Sequence, residues 1–222
     1  KPMRKDTEEK TFYLKDYKPF GWLIDGVEMC FDLHPLRTRV RTRIRMRPNP
    51  DAPKQRFFLH GEQLKFIRAT LDGEPITPRF VEGGLEADVP DAPFHFETEV
   101  EISPSTNTAL EGLYMSNGMY CTQCEAEGFR KITYYPDRPD VMATFQVRIE
   151  GDEAIKLSNG NPKAKSKTFA EWADPWPKPA YLFALVAGDL VNHPDSFKTM
   201  TGKPVELNIW VRPGDEHKCA FG

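Results

Sequence analysis

The chain has 222 residues, 39% of them hydrophobic and 28% charged, with a net charge of -3. That length supports one large domain with a real core, while the acidic balance and a pI near 6.0 argue against nucleic acid or an anionic membrane as a partner. The longest apolar run, residues 180–188, falls far short of the roughly 20 residues that span a bilayer. Residues 1–10 are charged and polar, without the apolar stretch of a signal peptide; Met3 is read as the native start. Four cysteines (Cys30, Cys121, Cys124 and Cys219) are too few for a disulfide scaffold at this size and fit a reducing, cytoplasmic setting.

Strand periodicity dominates the chain. Val27, Met29, Phe31 and Leu33 alternate with Glu28, Cys30 and Asp32, which predicts a strand with one buried face. Arg37, Arg39, Arg41, Arg43, Arg45 and Arg47 then alternate with Thr38, Val40, Thr42, Ile44 and Met46. A nucleic-acid stripe would need interleaved aromatics and a basic balance, which are missing. A matching row of anions follows: His95, Glu97, Glu99 and Glu101 alternate with Phe94, Phe96, Thr98, Val100 and Ile102. Opposite charges on facing strands attract, so the two segments are expected to be neighbours with their charged rows on one face. Between them, residues 64–71 run into Asp72-Gly73 and residues 76–81 into Gly83-Gly84, both suited to hairpin turns.

Further on, Val141, Ala143, Phe145, Val147 and Ile149 predict another half-buried strand, in competition with a short helix over residues 139–143. Val205, Leu207, Ile209 and Val211 predict a last one. With 20 prolines and 15 glycines as punctuation, the expected fold class is all-β: a twisted β-sandwich or saddle of antiparallel and mixed sheets, with Gly/Pro-rich turns and little helix.

Five histidines (His34, His60, His95, His193, His217) include no pair four apart, so there is no His-Glu-x-x-His helix. Cys121-Thr122-Gln123-Cys124 has no second ligand pair for zinc and no βαβ context for redox chemistry; two reduced, partly buried thiols are expected. In the same stretch an extended backbone would put Gln123 and Glu125 on one side and Cys124 on the other. An amide oxygen beside a carboxylate is a compact acceptor pair for an ammonium group. By spacing alone, a loop bonded to its own backbone is the more ordinary reading.

The run Cys121-Thr122-Gln123-Cys124-Glu125-Ala126-Glu127-Gly128-Phe129-Arg130 resembles the amino-terminal domain of zinc gluzincin aminopeptidases of the bacterial aminopeptidase N type. So do Glu111-Gly112-Leu113-Tyr114, Thr133-Tyr134-Tyr135-Pro136-Asp137-Arg138-Pro139-Asp140, Leu157-Ser158-Asn159-Gly160-Asn161 and Tyr181-Leu182-Phe183-Ala184-Leu185-Val186-Ala187-Gly188-Asp189. The resemblance implies an exopeptidase acting on peptide amino termini, with one zinc that polarises the scissile carbonyl in a thermolysin-like catalytic domain. In that family the first domain lends a Gln-x-Glu pair that grips the substrate α-amino group, a role that falls on Gln123 and Glu125, with Glu127 as runner-up if the backbone stays extended.

The family's Gly-x-Met-Glu-Asn and His-Glu-x-x-His motifs do not occur in these residues, and the resemblance places them beyond Gly222. No catalytic residue and no metal ligand is therefore expected here. The implied division is residues 1–190 as the amino-terminal β domain and 191–222 as opening strands of the catalytic domain. The implied partners are peptides, through their free amino terminus, and the enzyme's own catalytic domain. A loop facing that domain implies exposed apolar side chains at Leu113, Tyr114, Met115, Met119 and Tyr120. The competing reading is a non-enzymatic β-sandwich interaction module built on the same domain.

Overall fold

A computed structural model describes residues 13–221; Met3 and residues 1–10 lie outside them. Seventeen strands occur among the described residues. The first eight are β1 (Trp22–Asp32), β2 (Thr38–Pro48), β3 (Phe57–His60), β4 (Lys65–Leu71), β5 (Glu74–Ile76), β6 (Arg79–Val81), β7 (Gly84–Ala87) and β8 (Phe94–Ile102). Then come β9 (Gly112–Ser116), β10 (Met119–Gln123), β11 (Ala143–Glu150), β12 (Ile155–Ser158), β13 (Asn161–Lys165), β14 (Phe169–Lys178), β15 (Leu185–Gly188), β16 (Val191–Lys198) and β17 (Pro204–Val211). The helical pieces are 3₁₀ turns of three to six residues, and none of them can cross a membrane.

An eight-stranded sheet in the order β13-β14-β11-β1-β2-β8-β4-β5 forms the body. It is mixed: β1 runs antiparallel to β2 but parallel to β11. A four-stranded sheet (β12-β15-β10-β9), a three-stranded sheet (β3-β7-β6) and the hairpin β16-β17 complete the fold. The expected β-sheet architecture is therefore present, with one parallel seam in its main sheet.

Alternation decides which face is buried. Val27, Met29 and Phe31 of β1, Val40, Ile44 and Met46 of β2, Phe96 and Val100 of β8, and Phe145, Val147 and Ile149 of β11 are all buried in one core cluster. The charged rows share the opposite face. β2 pairs with β8 in the register Arg39↔Glu101, Arg41↔Glu99, Arg43↔Glu97 and Arg45↔His95. The close ion pairs are offset from that register: Arg39 bonds Glu99 at 3.2 Å, while Lys65 and Arg68 of β4 take Glu101 and Glu99 from the other side.

Three local expectations fail. Residues 139–143 are not a helix: 139–140 form a turn and Ala143 already opens β11, where it pairs with Lys178 and its alternation continues to Ile149. The second hairpin turn sits at Glu82-Gly83, one residue earlier than expected: Val81 pairs with Gly84, and Gly83 carries the positive φ of +78°. Gly84 is small for another reason, since a Cβ there would stand 1.9 Å from the Leu59 carbonyl oxygen. Finally, β17 lacks a buried face; Leu207 is exposed, because β17 pairs only with β16 and no other sheet covers it among the described residues.

Candidate functional site

β10 ends at Gln123, where the chain leaves the four-stranded sheet. Its last turn of strand is fixed by Thr122, whose hydroxyl donates to the Leu185 carbonyl (3.0 Å) and accepts the Leu185 N–H (2.9 Å). The expected side-chain alternation holds over three residues: Gln123 and Glu125 are exposed and Cys124 is buried. The extended backbone expected through Glu127 does not continue. Residues 125–128 form a turn, closed by the Gly128 N–H donating to the Cys124 carbonyl at 2.8 Å. The Glu125-Ala126 peptide is cis. Gly128 permits the close approach, for a Cβ there would lie 2.2 Å from the Gln123 carbonyl oxygen.

Behind the turn stands Phe129, fully buried against Tyr135, Phe145 and Phe183 with ring centroids 5.0, 6.1 and 5.2 Å away. These T-shaped contacts moor the loop to the core of the main sheet. Thr133 adds a polar tie, sharing a buried 2.8 Å hydrogen bond with Thr42 of β2. The loop is thus an exposed rim on a rigid base.

On the rim, Gln123 Nε2 donates to the Glu125 carbonyl at 3.0 Å. That bond leaves the Gln123 amide oxygen as the outward acceptor. The Glu125 carboxylate makes no ion pair among the described residues, whereas Glu127 lies 3.3 Å from the Arg130 guanidinium. Arg130 in turn bonds Asp137 through Nε (3.0 Å to Oδ2), Nη2 (3.1 Å to the carbonyl) and its backbone N–H (3.2 Å to Oδ2). Asp137 is buried, and its backbone N–H donates to His60 Nδ1 at 3.1 Å. Burial, followed by the nearby Arg130 charge, holds the His60 imidazole below its usual pKa, so its acceptor nitrogen stays bare.

Sequence reasoning missed this Arg130–Asp137–His60 set. Its one visible trace is a pair of opposite charges, Arg130 and Asp137, bounding a stretch that is mostly buried. His60 comes from β3, and nothing local to it points to Asp137.

Both thiols of the Cys-x-x-Cys are free; Cys121 is half-buried and Cys124 buried. Burial pushes both thiols up, Cys124 to about 12, the opposite of a reactive pair. Among the described residues no group of three or more His, Cys, Asp or Glu side chains could hold a metal ion, so the zinc that the resemblance implies does not fit the donors present.

The apolar expectation needs correction. Leu113 and Tyr120 are in the core because alternate residues of β9 and β10 turn inward; Tyr114, Met115 and Met119 are half-buried. Met119 is partly covered by Gly188 and by Arg212, whose Nε lies 3.4 Å from its sulfur.

Residues 26–182 match the family model of the peptidase M1 N-terminal domain, and the chain belongs to that family. It is 48% identical to aminopeptidase N of Caulobacter vibrioides over 99% of this chain and 26% of that enzyme. With aminopeptidase N of Escherichia coli the identity is 41%, over 91% of this chain and 24% of the enzyme. The chain thus spans about a quarter of the curated relatives it matches. Among solved structures, Legionella pneumophila aminopeptidase A in complex with aspartic acid superposes with a TM-score of 0.85 at 28% identity, over 94% of this chain and 26% of that one. An M1 zinc metallopeptidase from Deinococcus radiodurans shares the fold, with a TM-score of 0.74 at 15% identity over 89% of this chain and 49% of that one.

Proposed function

We propose that this chain is the amino-terminal domain of a zinc-dependent aminopeptidase, and that it anchors the free α-amino group of the peptide through Gln123 and Glu125. One observation carries the assignment. On a rim loop moored to the core, Glu125 is a carboxylate without an ion-pair partner among the described residues, beside the outward amide oxygen of Gln123. Glu127, the alternative, already has the Arg130 guanidinium 3.3 Å away.

An ammonium group carries three donors and one charge, and such a pair meets both needs. Fixing the amine fixes the first peptide bond in register with a catalytic centre, which is positioning and not bond-breaking. The zinc is proposed to belong to the remainder of the intact enzyme; among the described residues no cluster of His, Cys, Asp or Glu fits a metal. Residues 191–222 are proposed to open that remainder. In support, β16 and β17 form a separate hairpin that reaches the four-stranded sheet through Arg212, near Ser116 and Met119.

In the intact enzyme, Glu125→Ala is expected to lower kcat/KM on an aminoacyl arylamide by about 2–5 kcal/mol, roughly 30- to several thousand-fold, with zinc content unchanged. Gln123→Ala removes a neutral acceptor facing a charge, worth about 1.5–3 kcal/mol. Glu127→Ala should be near neutral. Wild-type kcat/KM in the Glu125 variant, or a worse Glu127 variant, would show that the anchor lies elsewhere.

A further inference from the structure

The loop carries two carboxylates two residues apart, Glu125 and Glu127, and both are exposed. An ammonium ion is a compact charge with no directional preference between them. If both were uncompensated, a peptide amine could bind in two registers, and its first peptide bond would shift with it. Displacement of about 1 Å at a reacting centre can cost on the order of a hundredfold in rate. The structure removes the ambiguity: Arg130 lies 3.3 Å from Glu127 and forms no ion pair with Glu125.

Arg130 is itself well fixed. Its side chain is 16% exposed and Asp137, its main partner, 3%. Three hydrogen bonds of 3.0 to 3.2 Å join the two residues, one from the Arg130 backbone and two from its guanidinium. Asp137 is held through His60, whose N–H and C=O pair with Tyr135 at 2.9 and 3.0 Å. The planar fork matters here. Nε serves Asp137 while Nη2 serves both the Asp137 carbonyl and Glu127. A lysine ammonium lacks that fixed fork and, drawn toward the buried Asp137 carboxylate, would leave Glu127 uncovered.

We propose that Arg130 is a positioning residue of the amine anchor: braced on Asp137, it engages Glu127 in an ion pair and leaves Glu125 as the one carboxylate of the loop with no cation beside it among the described residues, offered to the substrate ammonium. The proposal rests on the reading of Gln123 and Glu125 as that anchor. A brace that served stability alone would have no stake in the charge of Glu127, and this separates the two roles.

The test uses the intact enzyme, an aminoacyl p-nitroanilide, and zinc content and circular dichroism as checks on integrity. Arg130→Met is combined with Asp137→Asn, so that no buried carboxylate is left uncompensated. This pair is expected to lose about ten- to a hundredfold in kcat/KM, with a large share in kcat because the amine binds in the wrong register. Adding Glu127→Gln removes the competing carboxylate and should restore a substantial part of the loss. Arg130→Lys is the milder variant should the pair fail to fold; it should lose activity in the same sense and regain it with Glu127→Gln. The proposal is overturned if Glu127→Gln restores nothing in either background, which marks a purely structural brace, or if the Arg130 variants keep wild-type kcat/KM. Failure of the underlying reading shows separately, as a Glu125→Ala enzyme of undiminished kcat/KM.

Discussion

The buried ion pair at the end of β14 offers a stability test independent of catalysis. Lys178 Nζ lies 3.0 Å from Asp174 Oδ2 and 4.0 Å above the Phe145 ring, and the two side chains are only 8% and 11% exposed. Asp174 has a second partner, the Trp176 N–H at 3.2 Å, whereas Asp174 is the only carboxylate partner of Lys178 among the described residues. Asp174→Ala therefore strands an ammonium group in the core with only a ring face beside it. Removing one member of a buried pair costs about 3–5 kcal/mol, and at about 2–4 °C per kcal/mol for a chain of this size Tm should fall by roughly 6–20 °C. The double variant Asp174→Ala/Lys178→Met carries no stranded charge and should recover most of that loss. Burial already lowers the Lys178 pKa, with Asp174 pulling the other way. Without Asp174 the drop deepens, the folded state binds fewer protons than the unfolded one, and stability must rise with pH. The deficit of Asp174→Ala should thus shrink as pH rises toward 10. Thermal melts followed by circular dichroism at pH 7 and 10 report all of this. A double variant no better than the single one would show that the Trp176 cap and local packing, not the stranded charge, set the cost.

Two smaller tests concern the sheet surface and His60. Arg39→Ala should cost only about 0.2–1 kcal/mol, because its pairing with Glu99 is half-exposed, and the cost should fade in high salt; a larger loss in urea titrations would mean that the charged rows do more than decorate the sheet. His60 has a folded pKa below its unfolded one, so its contribution to stability is complete above about pH 6.5 and is lost as pH falls toward the folded value. Wild type minus His60→Gln, compared by urea midpoint at pH 7.5 and 5.5, should show that slope, and a difference that grows in favour of wild type at the lower pH would refute it.

Much of the fold was legible because a period of two is read directly from residue order. The apolar rows of β1, β2, β8 and β11 are all buried, and the arginine and glutamate rows are neighbours as their charges required. The exact ion pairs were not legible, since the offset of Arg39 to Glu99 and the arrival of Lys65 and Arg68 depend on rotamers and on a third strand. Gln123 and Glu125 are proposed from spacing together with resemblance, and the structural difference between Glu125 and Glu127 was hidden. It lies in Arg130 and the turn at 125–128, a turn that needs a glycine at 128 because a Cβ there would stand 2.2 Å from the Gln123 carbonyl oxygen. β17 shows the converse failure: its pattern predicts a buried face, but pattern alone does not supply the surface that buries it.

The parallel seam between β1 and β11 has a consequence for the order of assembly. Val27 pairs with Phe145 and Asp32 with Glu150, so each contact closes a loop of well over a hundred residues. β2, β8 and β4 can zip onto β1 by antiparallel pairing from the first hundred residues, but the other edge of β1 has no strand to meet until β11 exists. At synthesis rates of about 5–20 residues per second, the interval between the end of β8 and the start of β11 lasts roughly 2–8 s. Throughout it the half-built sheet presents a long edge whose inner face carries Val27, Met29 and Phe31. An open apolar edge is a template for pairing with another chain. The same segment that supplies Phe129 to the core under the loop at 123–128 is made during that interval, so the support of the loop and the closing of the sheet reach completion together.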